Sequence, residues 1–310
     1  MYKVILWRLA QFPLILAVIY VITFLLVWVA PGDPFSGDRA MDPLVVENLK
    51  KRFHAESPIQ FLTFYPWNVI RYGNFGPSMK YKEWSVNDII GESLPVSITL
   101  GLFALSVAVV VGVSVGTLAA VRRGGILDWS SLSITLIGIS LPSFVTAAIL
   151  LMIAAASKVI AVGGWGTFSQ VLLPGLALSL APMAYIVRLT RVAMLDTLGA
   201  DFVRTARAKG LARNTVIWKH CLRNSFLPVL SYLGPAAAVT LTGSFVVETV
   251  FNIPGMGQHF VNSVKNRDQT LILGCVIVYS VFLMSFNLLV DLAYAWVDPR
   301  IDISAEGKTA

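Results

Sequence analysis

The sequence has 310 residues, of which 56% are hydrophobic and only 13% are charged, and its mean hydropathy is +0.73. Since a soluble domain carries about 25% charged residues, this composition excludes an ordinary soluble enzyme and indicates an integral membrane protein. The net charge of +7 lies largely in short loops beside apolar segments, which argues against nucleic acid as a partner.

The first apolar segment, 9–32, contains no charged residue. Trp7, just before it, is of the residue type that anchors helices at the membrane interface. It is too long for the apolar region of a signal peptide. We therefore predict that residues 1–32 form the N-terminus and an uncleaved first transmembrane helix. Lys3 and Arg8 place the N-terminus in the cytoplasm.

A long polar segment, 33–92, follows and has seven Lys/Arg and eight Asp/Glu. This near balance suits the extracytoplasmic side of the membrane. Apolar residues at helical spacing predict a helix over 43–53. Residues 71–78, with the sequence RYGNFGPS, are rich in turn formers.

Five further apolar segments are each long enough to cross the ~30 Å hydrocarbon core, which takes about 20 helical residues. They are 93–121, 129–157, 171–189, 226–247 and 269–290. The sequence thus predicts an all-α integral membrane protein with six transmembrane helices and both termini in the cytoplasm. Its five-helix core would occupy residues 93–310, including a cytoplasmic loop at 191–226.

The charges of the loops agree with this topology. The inner loops hold Arg122 and Arg123 and then the bases of 191–223, whereas the two short outer loops hold only three bases, Lys158, Lys265 and Arg267. This arrangement places Ser78 and Ser263 outside the cell.

Prolines occur in five of the apolar segments, with Pro142 in the third and Pro174 and Pro182 in the fourth. Broken helices are common along transport pathways. Proline is also simply more frequent in membrane helices than in soluble ones, where neighbouring groups satisfy the freed carbonyls. The sequence leaves both interpretations open.

The loop 191–226 is the longest basic stretch between apolar segments, with six Lys/Arg and no acid from Arg204 to Arg223. We predict a short helix that starts near Asp201, as N-cap or first-turn residue, and ends at a left-handed Gly210. Leu211 would then occupy the position of a Schellman motif that contacts Ala206. A second helix is predicted over 214–225, before Pro228.

Arg204-Thr205-Ala206, three residues and then Gly210 resemble the Glu-Ala-Ala-xxx-Gly loop of ABC importer permeases, with departures at the first two positions. The surrounding RTARAKGL and LRNSFLPV are similar to the dipeptide/oligopeptide branch of that family. The resemblance implies a coupling helix that sits in a groove on an ATPase subunit. The candidate residues are Asp201, Phe202, Arg204, Thr205, Ala206, Lys209, Gly210 and Leu211.

Other stretches resemble the same family: 30–34, 71–78, 245–257 and 298–300, so the likeness covers nearly the whole chain. It implies one subunit of a type I ABC importer permease in the bacterial cytoplasmic (inner) membrane, surrounded by lipid. Its partners would be a second homologous permease, two cytoplasmic ATP-binding subunits and an extracytoplasmic substrate-binding protein. The segment 33–92 is either a cap where the binding protein docks or a solvated loop.

No catalytic, metal or cofactor site is expected. Gly307-Lys308-Thr309 lacks the earlier glycine of a P-loop, since position 302 is Asp, so ATP hydrolysis would belong to partner chains. The three histidines and two cysteines are scattered. Glu248, near a membrane edge, is either functional, or a residue that reaches water or pairs with a loop base.

The resemblance implies import of di- or oligopeptides, with nickel or another small solute as the alternative. A secondary transporter or channel would need charged residues within the spans, and these are nearly absent. A membrane anchor without a transport role is the third class, and loss of the chain without loss of any uptake would support it.

Overall fold

A computed structural model describes residues 2–31, 43–81, 83–157 and 163–297. Within these ranges the regular structure is helical, apart from one isolated bridge between Pro77 and Ser85. This confirms the predicted all-α class. The predicted features at 32–42, at Lys158 and at 298–310 lie outside the described residues.

The helices follow one another along the chain with short connections. In order they are α1 (Tyr2–Val29), α2 (Pro43–Arg52), α3 (Pro58–Tyr72), α4 (Val86–Val121), α5 (Ile126–Ser140), α6 (Ser143–Ser157), α7 (Phe168–Leu198), α8 (Asp201–Ala208), α9 (Arg213–Thr215), a π-helical segment (Val216–Cys221), α10 (Leu222–Ser225), α11 (Leu227–Val250), α12 (Met256–Asn266) and α13 (Gln269–Val297).

Five of the described helices, α1, α4, α7, α11 and α13, contain stretches long and apolar enough to cross a membrane. The pair α5 and α6 brings the number to six if it counts as one broken span. The predicted third span, 129–157, is therefore not a single straight helix, because α5 and α6 meet at an angle of 107°. The break falls at Leu141, which is extended (φ −87°, ψ 126°) because Pro142 follows it.

Two of the long helices begin or end well beyond the apolar segments predicted for them. α4 begins seven residues earlier, where the Ser85 hydroxyl accepts from the Asp88 N–H (3.1 Å) and the Asp88 carboxylate accepts from the Ser85 N–H (3.1 Å). α7 begins with a similar reciprocal cap between Thr167 and Gln170. Both are capping boxes, in which the N-cap residue pairs with the residue three positions later. These polar turns let each helix begin before its apolar segment.

The chain divides into two compact units. Of the described residues, one unit contains 2–4, 98–253 and 285–297. In it α4 packs closely on α7 through Gly112 and Gly116. A side-chain carbon added at Gly116 would lie 2.6 Å from the Val187 carbonyl oxygen, and one at Gly112 would lie 2.8 Å from Ile186. These two glycines, four residues apart, therefore let the two backbones approach as small residues do in membrane helix pairs.

The other unit contains 5–97 and 254–284 and has an aromatic core. Tyr20 and Phe24 of α1 stack on Tyr65 and Phe61 of α3, with ring centroids 6.1 Å apart in each pair. No helix was predicted over 58–72, yet α3 supplies the buried Phe61 and Tyr65 of this core. Such stacks add to the stability that aromatic burial provides.

A buried carboxylate, Asp268, organises the start of α13 in the same unit. It accepts from the Leu271 N–H (3.1 Å) and the Thr270 hydroxyl (2.9 Å), and also from the Ser78 hydroxyl. Ser78 and Ser263, both expected on the outer side, are buried within the chain. Their burial makes them unsuitable as sites for surface labelling.

Candidate functional site

The short helix α8 occupies the centre of the basic loop, where the sequence predicts it. Ala200 is the N-cap and makes no side-chain cap hydrogen bond, so Asp201 is the first-turn residue of the two alternatives. Its carboxylate lies 3.5 Å from the Arg204 guanidinium, but both side chains are exposed. An exposed pair of this kind contributes little stability.

The C-terminus of α8 is a Schellman motif, as predicted. Gly210 has a φ of +77°, its N–H donates to the Arg207 carbonyl (2.9 Å), and the Leu211 N–H donates to the Ala206 carbonyl (3.2 Å). Only glycine takes this backbone conformation without strain. Gly210 therefore fixes the direction in which the chain leaves the helix.

One face of α8 is attached to the chain's own core. Val203 is 1% exposed and belongs to a cluster with Met194 of α7, Val216, Ile217 and Cys221. Ala206, one turn further, is half-buried against the same cluster. α8 rests mainly on the π-helical segment, which itself packs on α7, so the orientation of α8 depends on both elements.

The rest of the surface of α8 and of the turn after it is exposed and mixes charged and apolar groups. Phe202 and Leu211 are each 41% exposed. The remaining exposed candidates are Asp201, Arg204, Thr205, Lys209 and Gly210. Of the eight candidate residues, only Ala206 is partly buried, so a bulky group there would first disturb the packing of α8 on the cluster that contains Val203.

The second predicted helix, 214–225, is present as α9, the π-helical segment and α10. No local pattern predicted the wider π turn over Val216–Cys221. Single π turns within α-helices are frequently found at functional sites. Ser225 at its end donates to the Ala193 carbonyl of α7 (3.1 Å) and contacts the Thr197 hydroxyl (2.9 Å). Burial raises the pKa of the Cys221 thiol within this helix.

An ion pair that the sequence analysis did not identify joins α5 to α7. The Arg191 guanidinium donates to both carboxylate oxygens of Asp128, at 2.5 and 2.9 Å, and the Gly124 N–H donates to the same carboxylate (2.9 Å). The Asp128 and Arg191 side chains are only 5% and 18% exposed. The pair thus fastens the turn between α4 and α5 to α7, seven residues before α7 ends.

Glu248 of α11 is fully buried. This contradicts the interpretation in which its carboxylate reaches interfacial water. The backbone carbonyl oxygen of Glu248 accepts a hydrogen bond from the Ile253 N–H (2.8 Å), which closes the turn after the helix.

Within the described ranges, no three His, Cys, Asp or Glu side chains are grouped so that they could hold a metal ion.

The helical architecture has counterparts among solved membrane transporters. The structure reported as inward-facing conformations of the MetNI methionine ABC transporter matches with a TM-score of 0.53 and 17% identity, over 68% of this chain and 96% of that chain. An amino acid ABC transporter structure matches with a TM-score of 0.52 and 16% identity, over 66% of this chain and 92% of that chain. The fold is therefore that of a membrane subunit of ABC transporters.

Sequence comparisons are more specific. The family described as binding-protein-dependent transport system inner membrane component matches residues 112–303. The dipeptide transport system permease protein DppB of Bacillus subtilis (strain 168) is 43% identical, over 94% of each chain. The oligopeptide transport system permease proteins OppB of Salmonella typhimurium and Escherichia coli (strain K12) are 41% and 42% identical, over 97% of this chain and 99% of theirs.

The chain belongs to the family of binding-protein-dependent transport system inner membrane components, and it is a multi-pass permease of the ABC importer type.

Proposed function

We propose that the chain is one permease subunit of an ATP-driven importer of di- or oligopeptides and that it forms half of the translocation pathway. The relatives named for dipeptide and oligopeptide transport match it over nearly its whole length, which favours peptides over nickel or another small solute. Few charged residues lie in the spans, which disfavours a secondary transporter.

The complete importer would contain a second homologous permease, two cytoplasmic ATP-binding subunits and an extracytoplasmic substrate-binding protein. ATP hydrolysis would occur in the ATP-binding subunits, since this sequence contains no complete P-loop. Both termini and the loop 191–226 would lie in the cytoplasm, and 33–92 would lie outside, where the binding protein docks.

The observation that supports a coupling role for α8 is that one side of the helix is buried in the chain's own core while apolar residues beside it are exposed. Val203 buries one side of the helix in a cluster with Met194 of α7 and the π-helical segment, while Phe202 in its first turn and Leu211 just after its end expose apolar surface. Aromatic residues such as phenylalanine are enriched in the buried centres of protein interfaces. We infer that this exposed surface sits in a groove of an ATP-binding subunit.

This arrangement would transmit motion as well as binding. α7 runs as one helix from Phe168 to Leu198, and α8 follows after two residues. Ser225 and the Asp128–Arg191 pair hold the same end of α7. A displacement of α8 by closing ATP-binding subunits would therefore move the end of a membrane-spanning helix with it.

Phe202→Ala tests the coupling surface. Removing a central aromatic anchor should weaken retention of the ATP-binding subunits by about tenfold or more, and peptide uptake should fall while chain abundance stays normal. Ile126→Ala is the matched control, because Ile126, the first residue of α5, is an exposed apolar residue beside the other inner loop. Normal uptake and normal co-purification with Phe202→Ala would show that α8 is not the coupling element.

The substrate class needs a separate experiment. A strain lacking only this chain should lose uptake of labelled di- and oligopeptides, and the chain supplied in trans should restore it. Loss of nickel uptake with intact peptide uptake would assign the importer to the alternative class.

A further inference from the structure

An open groove with a volume of about 780 Å³ lies in the unit that contains, of the described residues, 2–4, 98–253 and 285–297. One wall is apolar and consists mainly of Val110 and Val113 of α4 together with Phe226. The other side carries Trp218 of the π-helical segment and Trp296 at the end of α13. The transport function proposed above assigns no role to this groove.

In the proposed topology the groove lies on the cytoplasmic side of the membrane. Val110 precedes the end of α4 by 11 residues, which is about 16 Å of helix. This is close to half of the ~30 Å hydrocarbon core. In that topology α4 ends, α11 begins and α13 ends on the cytoplasmic side, so the residues that line the groove lie nearer to that side of the membrane.

Among the described residues that line the groove, Arg223 is the only cation. Its side chain is exposed and has no hydrogen-bond or ion-pair partner among the residues that the structure describes. Trp218 and Trp296 are also exposed, and tryptophan is enriched where hydrocarbon meets headgroups. An apolar groove that carries a cation without a bound acid is complementary to a molecule with an acyl chain and an anionic head.

We propose that this groove binds an anionic phospholipid of the cytoplasmic leaflet. The lipid phosphate pairs with the Arg223 guanidinium, and the two tryptophans lie at headgroup level. An acyl chain lies along Val110, Val113 and Phe226. Basic pockets between transmembrane helices on the cytoplasmic side bind anionic headgroups for the same electrostatic reason.

The test is a lipid titration of the assembled transporter in detergent, followed by native mass spectrometry. Phosphatidylglycerol and phosphatidylethanolamine with the same acyl chains are the two probes. Arg223→Ala should weaken phosphatidylglycerol binding at the site about fivefold and change phosphatidylethanolamine binding little. Arg213→Ala is the matched control, because Arg213 is an exposed base of the same loop outside the groove.

A second pair of variants tests the acyl-chain wall without altering charge. Val110→Phe should fill the groove and weaken binding of both lipids, whereas Val111→Phe, one residue outside the lining, should not. Equal losses with Arg223→Ala and Arg213→Ala would overturn the proposal in favour of unspecific attraction. Unchanged lipid binding in Val110→Phe, with loss of a protein subunit from the complex, would overturn it in favour of a protein occupant.

Discussion

Replacing Gly210 by valine should loosen the end of α8 without creating a steric clash. Gly210 has a φ of +77°, and no atom lies within 4 Å of the position that a Cβ would take. The penalty is therefore purely conformational, about 1–2 kcal/mol for a residue with a Cβ in the left-handed region. That cost corresponds to about a five- to thirtyfold more frequent opening of the Schellman hydrogen bonds.

Gly199, at the other end of α8, provides the matched control. Its φ is −82°, and an added Cβ would meet its nearest neighbour at 3.5 Å, an ordinary contact. Gly199→Ala should therefore be neutral or stabilising by about 0.4–1 kcal/mol. Gly210→Asn should fall between wild type and Gly210→Val, because asparagine tolerates the left-handed conformation.

Hydrogen exchange of the assembled importer, read at the amides of Gly210 and Leu211, measures the local effect directly. Uptake of labelled peptide and stimulation of ATP hydrolysis by the binding protein measure its consequence. Gly210→Val should raise exchange and reduce both activities, with normal membrane insertion. Wild-type exchange in Gly210→Val, or the same loss in Gly199→Ala, would refute the reasoning from backbone conformation.

Three further predictions concern the ion pair, the topology and the partners. Asp128→Asn and Arg191→Gln should each cost about 1.5–3 kcal/mol in thermal stability, and the double variant should cost less than their sum; additive losses would mean that the pair is not coupled. Cysteines at the exposed Asn74 and Lys265 should react with an impermeant reagent from outside, whereas one at Thr215 should react only after permeabilisation; labelling of Thr215 in intact cells contradicts the topology. The chain purified alone should hydrolyse no ATP, and an activity that follows the pure chain through purification would contradict the assignment of hydrolysis to partner chains.

The features that the sequence predicted well are those encoded locally. Long uncharged segments located the apolar helices, because crossing a membrane demands about 20 apolar residues in a row. Gly210 marked the end of α8, because a left-handed residue after a short helix selects glycine. The helix over 43–53 likewise followed from apolar spacing and is present as α2.

The features that it missed depend on contacts between distant residues. Asp128 and Arg191 are 63 positions apart, so no local pattern indicates that they pair. α3 was missed because its sequence alone does not show what its aromatic residues pack against. In the fold, its Phe61 and Tyr65 stack on rings of α1, which is distant in sequence. The effect of proline also depended on context, since Pro142 coincides with a 107° bend while Pro174 and Pro182 lie inside the continuous α7.

The contrast between these prolines bears on how force would travel through the protein. A proline removes one hydrogen bond from a helix, and the helix persists only when its surroundings compensate. In α7 they do: Pro174 and Pro182 are buried, α4 packs on α7 at its two close-contact glycines, and the Asp128–Arg191 pair holds the segment near α8. The helix is interrupted at Pro142, between α5 and α6, so these two helices cannot transmit a displacement as one rigid rod. If α8 is the element that the ATP-binding subunits move, α7 is therefore the helix that carries the displacement into the membrane.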